Sequence, residues 1–183
     1  MKSLTFITGN KNKAEQLSRY LAFPVSHFKL EIDEIQSLTV EEVATKKAKA
    51  AFTLLGTPVL IEDTALTFKA LNGLPGTFVK FFLERIGNDG LIRLLQGYDN
   101  RNAVAETCFA LCDQNGVHLF KGTRLGTIAG SPRGTDSFGW NAVFIPEGES
   151  LTWAEMDMEQ QSKTSMRRLA IEKLQVYLEA HYN

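Results

Sequence analysis

The segment Thr8-Gly9-Asn10-Lys11-Asn12-Lys13 follows directly on the apolar run Leu4 to Ile7 and opens what reads as a helix. A helix N-terminus presents unpaired N–H groups and the positive end of the dipole, and both suit phosphate. Gly9 would let the backbone approach a ligand closely. The segment is not the Gly-x4-Gly-Lys-Ser/Thr phosphate loop, and by itself it reads equally well as a helix cap with solvated lysines. The lysines are poorly placed for stability, because cations in a first turn oppose the macrodipole by about 0.3–1 kcal/mol each. Lys80 repeats the pattern after the turn Gly73 to Gly76, and Arg167 and Arg168 repeat it near the start of the last helix. A bound anion reverses the sign of that effect.

Glu62-Asp63 closes the apolar run Val59-Leu60-Ile61. In open α/β sheets, ligands bind beyond the carboxyl ends of strands, and adjacent strand residues point to opposite faces. One carboxylate therefore faces a cleft while the other has a different role. Glu34, in the preceding loop, adds a further hard oxygen donor of the kind Mg²⁺ takes. Such an ion would screen phosphate charge and position a water; the plain alternative is a solvated acidic strand end. Phe138-Gly139-Trp140-Asn141 offers aromatic faces that stack on bases and an amide that can read a base edge, although such aromatics often fill cores. His27, His118 and His181 lie near none of these segments, which leaves no Ser-His or Cys-His nucleophile pair.

The elements that must position these groups follow from periodicity. A buried strand is predicted at Leu4–Ile7, a helix at 11–22 with Ala14, Leu17 and Leu21 on one face, and an extended segment at 25–30. Thr39 and Glu42 form a capping-box pattern that opens a helix running to Leu55. Strands are predicted at 59–61 and 66–70, and one or two short helices over 78–86 and 89–95. Two long alternating stretches, 103–112 and 117–128, are joined through Asp113-Gln114-Asn115-Gly116, the clearest hairpin signal in the chain. A Gly- and Pro-rich loop spans 130–139, a strand follows at 142–145, and a helix at 162–180 closes the chain. The mixture predicts an α/β fold with a mixed sheet.

With 183 residues and 44% hydrophobic content, residues 1–183 read as a single domain, or two lobes on one sheet, with a real core. The formal charge of -1 lacks the basic excess that binding to a nucleic acid polymer demands. The first residues turn polar too soon for a secretory signal, and no apolar run approaches the roughly 20 residues of a membrane helix. Cys108 and Cys112, in one strand, would lie roughly 13 Å apart, too far to bridge. Reduced core thiols point to the cytoplasm.

In chain order these segments closely resemble the inosine triphosphate pyrophosphatase family, which removes aberrant purine nucleotides such as ITP, dITP and XTP. The matching segments are Thr8-Gly9-Asn10…Lys13, Glu34-Ile35-Gln36, Val59 to Thr64, Gly73 to Lys80, Phe138-Gly139-Trp140 and Ser165-Met166-Arg167. The resemblance implies an elongated mixed β-sheet with flanking helices and two lobes with a nucleotide cleft between them. It also implies a homodimer, and Mg²⁺-assisted hydrolysis between the α- and β-phosphates to a nucleoside monophosphate and pyrophosphate. By the same resemblance Glu34 binds metal with Glu62 as helper, and Asp63 is the general base or a metal-linked carboxylate. Thr8, Gly9, Asn10, Lys13, Lys46, Thr64 and Lys80 hold the triphosphate. Phe138, Gly139 and Trp140 flank the base, with Asn141, Lys163, Ser165 and Arg167 at its edge.

Three positions depart from the family pattern. Asn141 stands where the family has Asp, Met166 where it has His, and Gln161 where it has Lys, with Lys163 two positions later. In the family all three positions belong to base recognition, so the resemblance implies hydrolysis with altered substrate choice. A carboxylate only accepts, which suits N1–H of hypoxanthine; an amide presents an acceptor or a donor. Two other readings compete: a nucleotide sensor that binds without turnover, and an interaction protein using Phe78, Phe81 and Phe82, residues that fit a core or dimer interface better.

Overall fold

The computed structural model describes residues 3–135 and 138–182. Asp136 and Ser137, inside the loop expected at 130–139, lie outside the described residues. The elements run β1 (Leu4–Ile7), α1 (Lys11–Tyr20), β2 (Val25–Phe28), α2 (Val40–Leu55), β3 (Val59–Phe68), β4 (Pro75–Gly76), α3 (Val79–Arg93), β5 (Asn102–Asp113), β6 (Gly116–Ile128), β7 (Phe144–Pro146), α4 (Met158–Thr164) and α5 (Met166–Tyr182). Among the described residues the strands form a seven-stranded sheet in the order β2-β1-β3-β5-β6-β7, with β4 on β3. β1 pairs in parallel with β2 and β3, whereas β4 on β3 and β7 on β6 are antiparallel. The mixed α/β expectation is met.

The chain divides into two compact units. The first draws on residues up to Thr64, on Thr107–Gly122, and on residues from Arg167 onward. Its core joins Leu4 and Phe6 of β1, Leu17 of α1, Leu60 of β3, Phe109 and Leu111 of β5, and Ala170, Leu174 and Leu178 of α5. The spacing of those α5 residues places them on one helical stripe. The second unit comprises Ala65–Glu106 and Thr123–Met166. It packs Phe68, Val79, Leu91, Ile128, Phe144, Trp153, Met156 and Met166 into a separate core, in which the rings of Phe144 and Trp153 lie 4.4 Å apart.

Three local expectations change, and one at 78–95 is met. β3 does not stop at Ile61: it runs on to Phe68, because the polar step Glu62-Asp63-Thr64 keeps the alternation of a strand and β4 pairs with its far half. The Thr39–Glu42 capping box does not form. Glu42 instead accepts from the Ser37 hydroxyl at 2.8 Å, and the Thr39 side chain makes no cap bond. A capping box does form at Asp157 and Gln160, opening α4. The helix expected at 162–180 is two helices, broken where Ser165 turns extended at ψ 123°. The one or two short helices expected at 78–95 are present as α3, kinked at Gly87, whose φ of 64° suits glycine.

Candidate active site

β1 ends at Ile7, and its register with β3 sets Thr5 against Val59 and Phe6 against Leu60. Following that register, the Thr8–Asn10 turn emerges beside the Glu62-Asp63 step. The turn is self-braced: Thr8 Oγ1 accepts from the Asn10 N–H at 3.1 Å, and Asn10 caps α1 by accepting from the Lys13 N–H at 3.3 Å. Gly9 is exposed, and a Cβ there would lie 3.4 Å from the Lys29 side chain, an ordinary contact. Lys13, in the first turn of α1, reaches back to β3. Its Nζ lies 3.5 Å from the Glu62 carbonyl and 3.8 Å from Glu62 Oε2.

As alternation requires, the two carboxylates of β3 part company. The Glu62 side chain is fully buried. Its Oε1 accepts from Arg167 Nε at 2.6 Å and from the Thr107 hydroxyl at 3.0 Å. Burial alone would raise its carboxyl, but the charges of Arg167 and Lys13 outweigh that and hold it below the usual glutamate value. Arg167 Nη1 also bonds Gln16 Oε1 on α1.

Asp63 faces the other way, toward Lys47. The Lys47 ammonium sits 2.7 Å from Glu34 Oε1 and 3.2 Å from Asp63 Oδ2, and Asp63 Oδ1 accepts from the Thr64 N–H at 2.9 Å. Burial would lower the Lys47 ammonium, but Asp63 and Glu34 raise it above its ordinary value. Lys46, the lysine singled out from the sequence, is exposed, and Lys47 was missed. A signal for it existed: Val43, Ala44, Ala48 and Ala51 form the buried stripe of α2, and Lys47 is four residues from Val43 and from Ala51. It is therefore a cation on an inward face.

These residues fit a divalent cation. Two carboxylate oxygens converge on one positive charge, that of Lys47, and the turn leading to Lys13 follows the neighbouring strand β1. Among the described residues no cluster of three or more His, Cys, Asp or Glu side chains could hold a metal. Two carboxylates suit Mg²⁺, which keeps several waters and commonly completes its shell with substrate phosphates.

The second unit carries the remaining sequence-predicted residues. Phe138 is half-buried and Trp140 buried, with Gly139 between them at φ 58°. The Trp140 indole N–H is among the buried polar groups that lack a partner within the described residues. Asn88 donates to the Gly139 carbonyl at 3.2 Å, and the Asn141 N–H donates to the Phe138 carbonyl at 3.1 Å. Gln161 spends its amide on the main chain, donating to the carbonyls of Trp153 at 2.7 Å and Met156 at 3.2 Å. Met166 packs in the apolar core. Lys163 is exposed and pairs with Glu159 at 2.6 Å, and Ser165 caps α4. Lys80 is exposed, 4.0 Å from Glu84.

The helix starts sort as the misplaced cations suggested. α1, α3 and α5 have no acidic residue in the first turn, and Lys11 and Lys13, Lys80, and Arg167 and Arg168 stand there. α2 and α4 follow the dipole, with Glu41 and Glu42 opening α2 and Glu159 opening α4.

Known proteins are similar to this chain in sequence and fold. A family model described as the Ham1 family matches residues 4–177. The chain is 46% identical over 181 residues to a protein of Yarrowia lipolytica named inosine triphosphate pyrophosphatase, covering 96% of this chain and 95% of that protein. It is 41% identical to a protein of the same name from Schizosaccharomyces pombe, covering 100% and 98% of the two chains. Among solved structures, the Staphylococcus aureus Ham1 protein superposes with a TM-score of 0.86 at 27% identity, covering 98% of this chain and 99% of that one. A nucleoside-triphosphatase, dITP/XTP pyrophosphatase, from Mycobacterium abscessus gives a TM-score of 0.77 at 25% identity over 94% and 98%. The chain belongs to the Ham1 family.

Proposed function

We propose that this chain is a hydrolase that cleaves nucleoside triphosphates of the ITP, dITP and XTP type to a nucleoside monophosphate and pyrophosphate, with residues 1–183 acting as one catalytic domain. The observation that carries the reading is the Lys47-bridged pair of Glu34 and Asp63 beside the Lys13 turn. It combines two carboxylates for a metal and a water with a cationic helix start for phosphate. The relatives named as inosine triphosphate pyrophosphatases support the substrate class.

In this reading Lys13 and the N–H groups of the Thr8–Asn10 turn hold the phosphates, and Lys46, Thr64 and Lys80 complete the triphosphate set. Lys47 positions Asp63, whose carboxylate takes a proton from the attacking water. The water oxygen bonds to the α-phosphorus, the bond from that phosphorus to the oxygen bridging to the β-phosphate breaks, and pyrophosphate departs with the electron pair. Glu34 and Asp63 would hold Mg²⁺, which when bound screens phosphate charge, and Glu62 stands behind them. Phe138, Gly139 and Trp140 flank the base, and Asn141, Lys163, Ser165 and Arg167 meet its edge.

With Gln161 committed to main-chain carbonyls and Met166 packed in the core, base readout falls to fewer polar groups, so preference for inosine nucleotides is weaker or shifted. A homodimer is supported by the exposed Phe81 and Ile86 on α3, and cytoplasmic residence by the two free thiols Cys108 and Cys112.

The test is pyrophosphate release from ITP, dITP, XTP, ATP, GTP, dUTP and dTTP with Mg²⁺, comparing the natural sequence with Asp63→Asn. Release that collapses in the variant is the expected result. Tight nucleotide binding with no release from any of them would replace the reading with a sensor.

A further inference from the structure

We propose that Glu62 is a positioning residue: a buried anion that holds the Lys13 ammonium and the Arg167 guanidinium ready for the nucleotide, rather than a ligand of the metal. The inference rests on the reading above, in which Lys13 meets phosphate and Arg167 meets the base.

Within the first unit, three distant stretches of chain meet at this one side chain. Lys13 comes from the first turn of α1, Glu62 from the middle of β3 and Arg167 from the first turn of α5. Glu62 Oε1 is occupied by Arg167 Nε at 2.6 Å and by the Thr107 hydroxyl at 3.0 Å, and Oε2 faces Lys13 Nζ at 3.8 Å. Each cation has a second tether. Lys13 reaches the Glu62 carbonyl at 3.5 Å, and Arg167 Nη1 reaches Gln16, which lies less than one turn beyond Lys13 on α1. The carboxylate has no exposed surface, while 18% of the Lys13 side chain remains exposed. A divalent ion reaching Glu62 would first have to displace two cations already there.

The charge balance explains the arrangement. Two cations held by helix starts in a poorly solvated site repel one another and oppose both helix dipoles. One carboxylate between them removes most of that penalty and leaves one net positive charge, which favours an incoming anion. Without the carboxylate, Lys13 can relax into solvent and Arg167 loses the charge-assisted bond that fixes its plane. A single buried residue thus sets cations that serve both the phosphate and the base ends of the ligand.

The experiment measures binding of three probes by calorimetry, inosine 5′-monophosphate, inorganic triphosphate and Mn²⁺, to the natural sequence and to Glu62→Gln. Positioning predicts that the variant weakens both the monophosphate and the triphosphate by roughly 10- to 100-fold, while the Mn²⁺ affinity stays within about twofold. In ITP hydrolysis, KM should rise roughly as the probes weaken, with kcat changing less. Reduced Mn²⁺ affinity with both anionic probes unaffected would make Glu62 a metal ligand and overturn the proposal, as would weakened binding of one anionic probe alone. Glu62→Asp keeps the charge but shortens the reach, and it serves if Glu62→Gln does not fold. It should weaken both probes by a smaller factor, and unchanged binding of both would refute the anchor. A natural sequence that binds neither anionic probe and releases no pyrophosphate would defeat the pyrophosphatase reading itself. One that does both while Glu62→Gln matches it defeats only the anchor.

Discussion

Arg167→Met isolates the buried charge pair at the start of α5. Arg167 and Glu62 meet at 2.6 Å with 8% and 0% of their side chains exposed, so neither charge is screened by water. Removing one partner of a buried pair costs about 3–5 kcal/mol, because it strands the other. Here Glu62 keeps the Thr107 hydroxyl and, at 3.8 Å, the Lys13 ammonium, which places the expected loss at about 2–4 kcal/mol. For a chain of this size that is a fall in Tm of roughly 5–15 °C. The carboxyl of Glu62 is held below its ordinary 4.5. A depressed folded-state value contributes stability that is full above about 4.5 and is lost as pH falls through the folded-state value. The gap between Arg167→Met and the natural sequence should therefore be widest at neutral pH and narrow below about 4.5. Urea unfolding followed by tryptophan fluorescence at pH 7 and pH 4 measures it, and adding Glu62→Gln to Arg167→Met should recover much of the loss. A variant within about 0.5 kcal/mol of the natural sequence at pH 7 would refute the reasoning, and so would a gap that ignores pH.

Lys47→Met removes the charge that occupies the carboxylate pair, so Mn²⁺ should bind the nucleotide-free protein several-fold more tightly, as read by electron paramagnetic resonance; unchanged affinity would mean Lys47 does not hold the cation position. Gln161→Ala strands the Trp153 and Met156 carbonyls and should cost about 1–3 kcal/mol in chemical denaturation, with the ranking among nucleotide bases unaltered. A changed ranking would show that Gln161 reads the base after all. Burial pushes the Cys108 thiol up to about 12, so iodoacetamide at pH 8 should label it far more slowly than after unfolding; equal rates would contradict its burial.

Much of this protein is legible in its residue order. Leu4–Ile7, the Asp113–Gly116 hairpin and the core stripe of α5 follow from periodicity, because a strand or helix must bury its apolar face whatever surrounds it. The misplaced cations Lys13, Lys80 and Arg167 were visible for the same local reason, since a first turn has its dipole before any tertiary contact forms. Helix ends were less secure: Glu42 had a local partner in the Thr39 box and another in Ser37, and the sequence does not choose between them.

Tertiary structure alone decided what the charges do. Glu62 and Asp63 are neighbours of the same type, yet one is sealed against an arginine 105 positions away and the other shares a lysine with Glu34. Alternation said that they would diverge, but not which would be buried. Lys46 and Lys47 posed the same ambiguity, settled by a one-residue rotation around α2 that puts Lys47 on the inward face. A side chain's charge is written in the sequence, whereas its partner depends on strand register and on helix packing across distant segments, which exist only once the chain has folded.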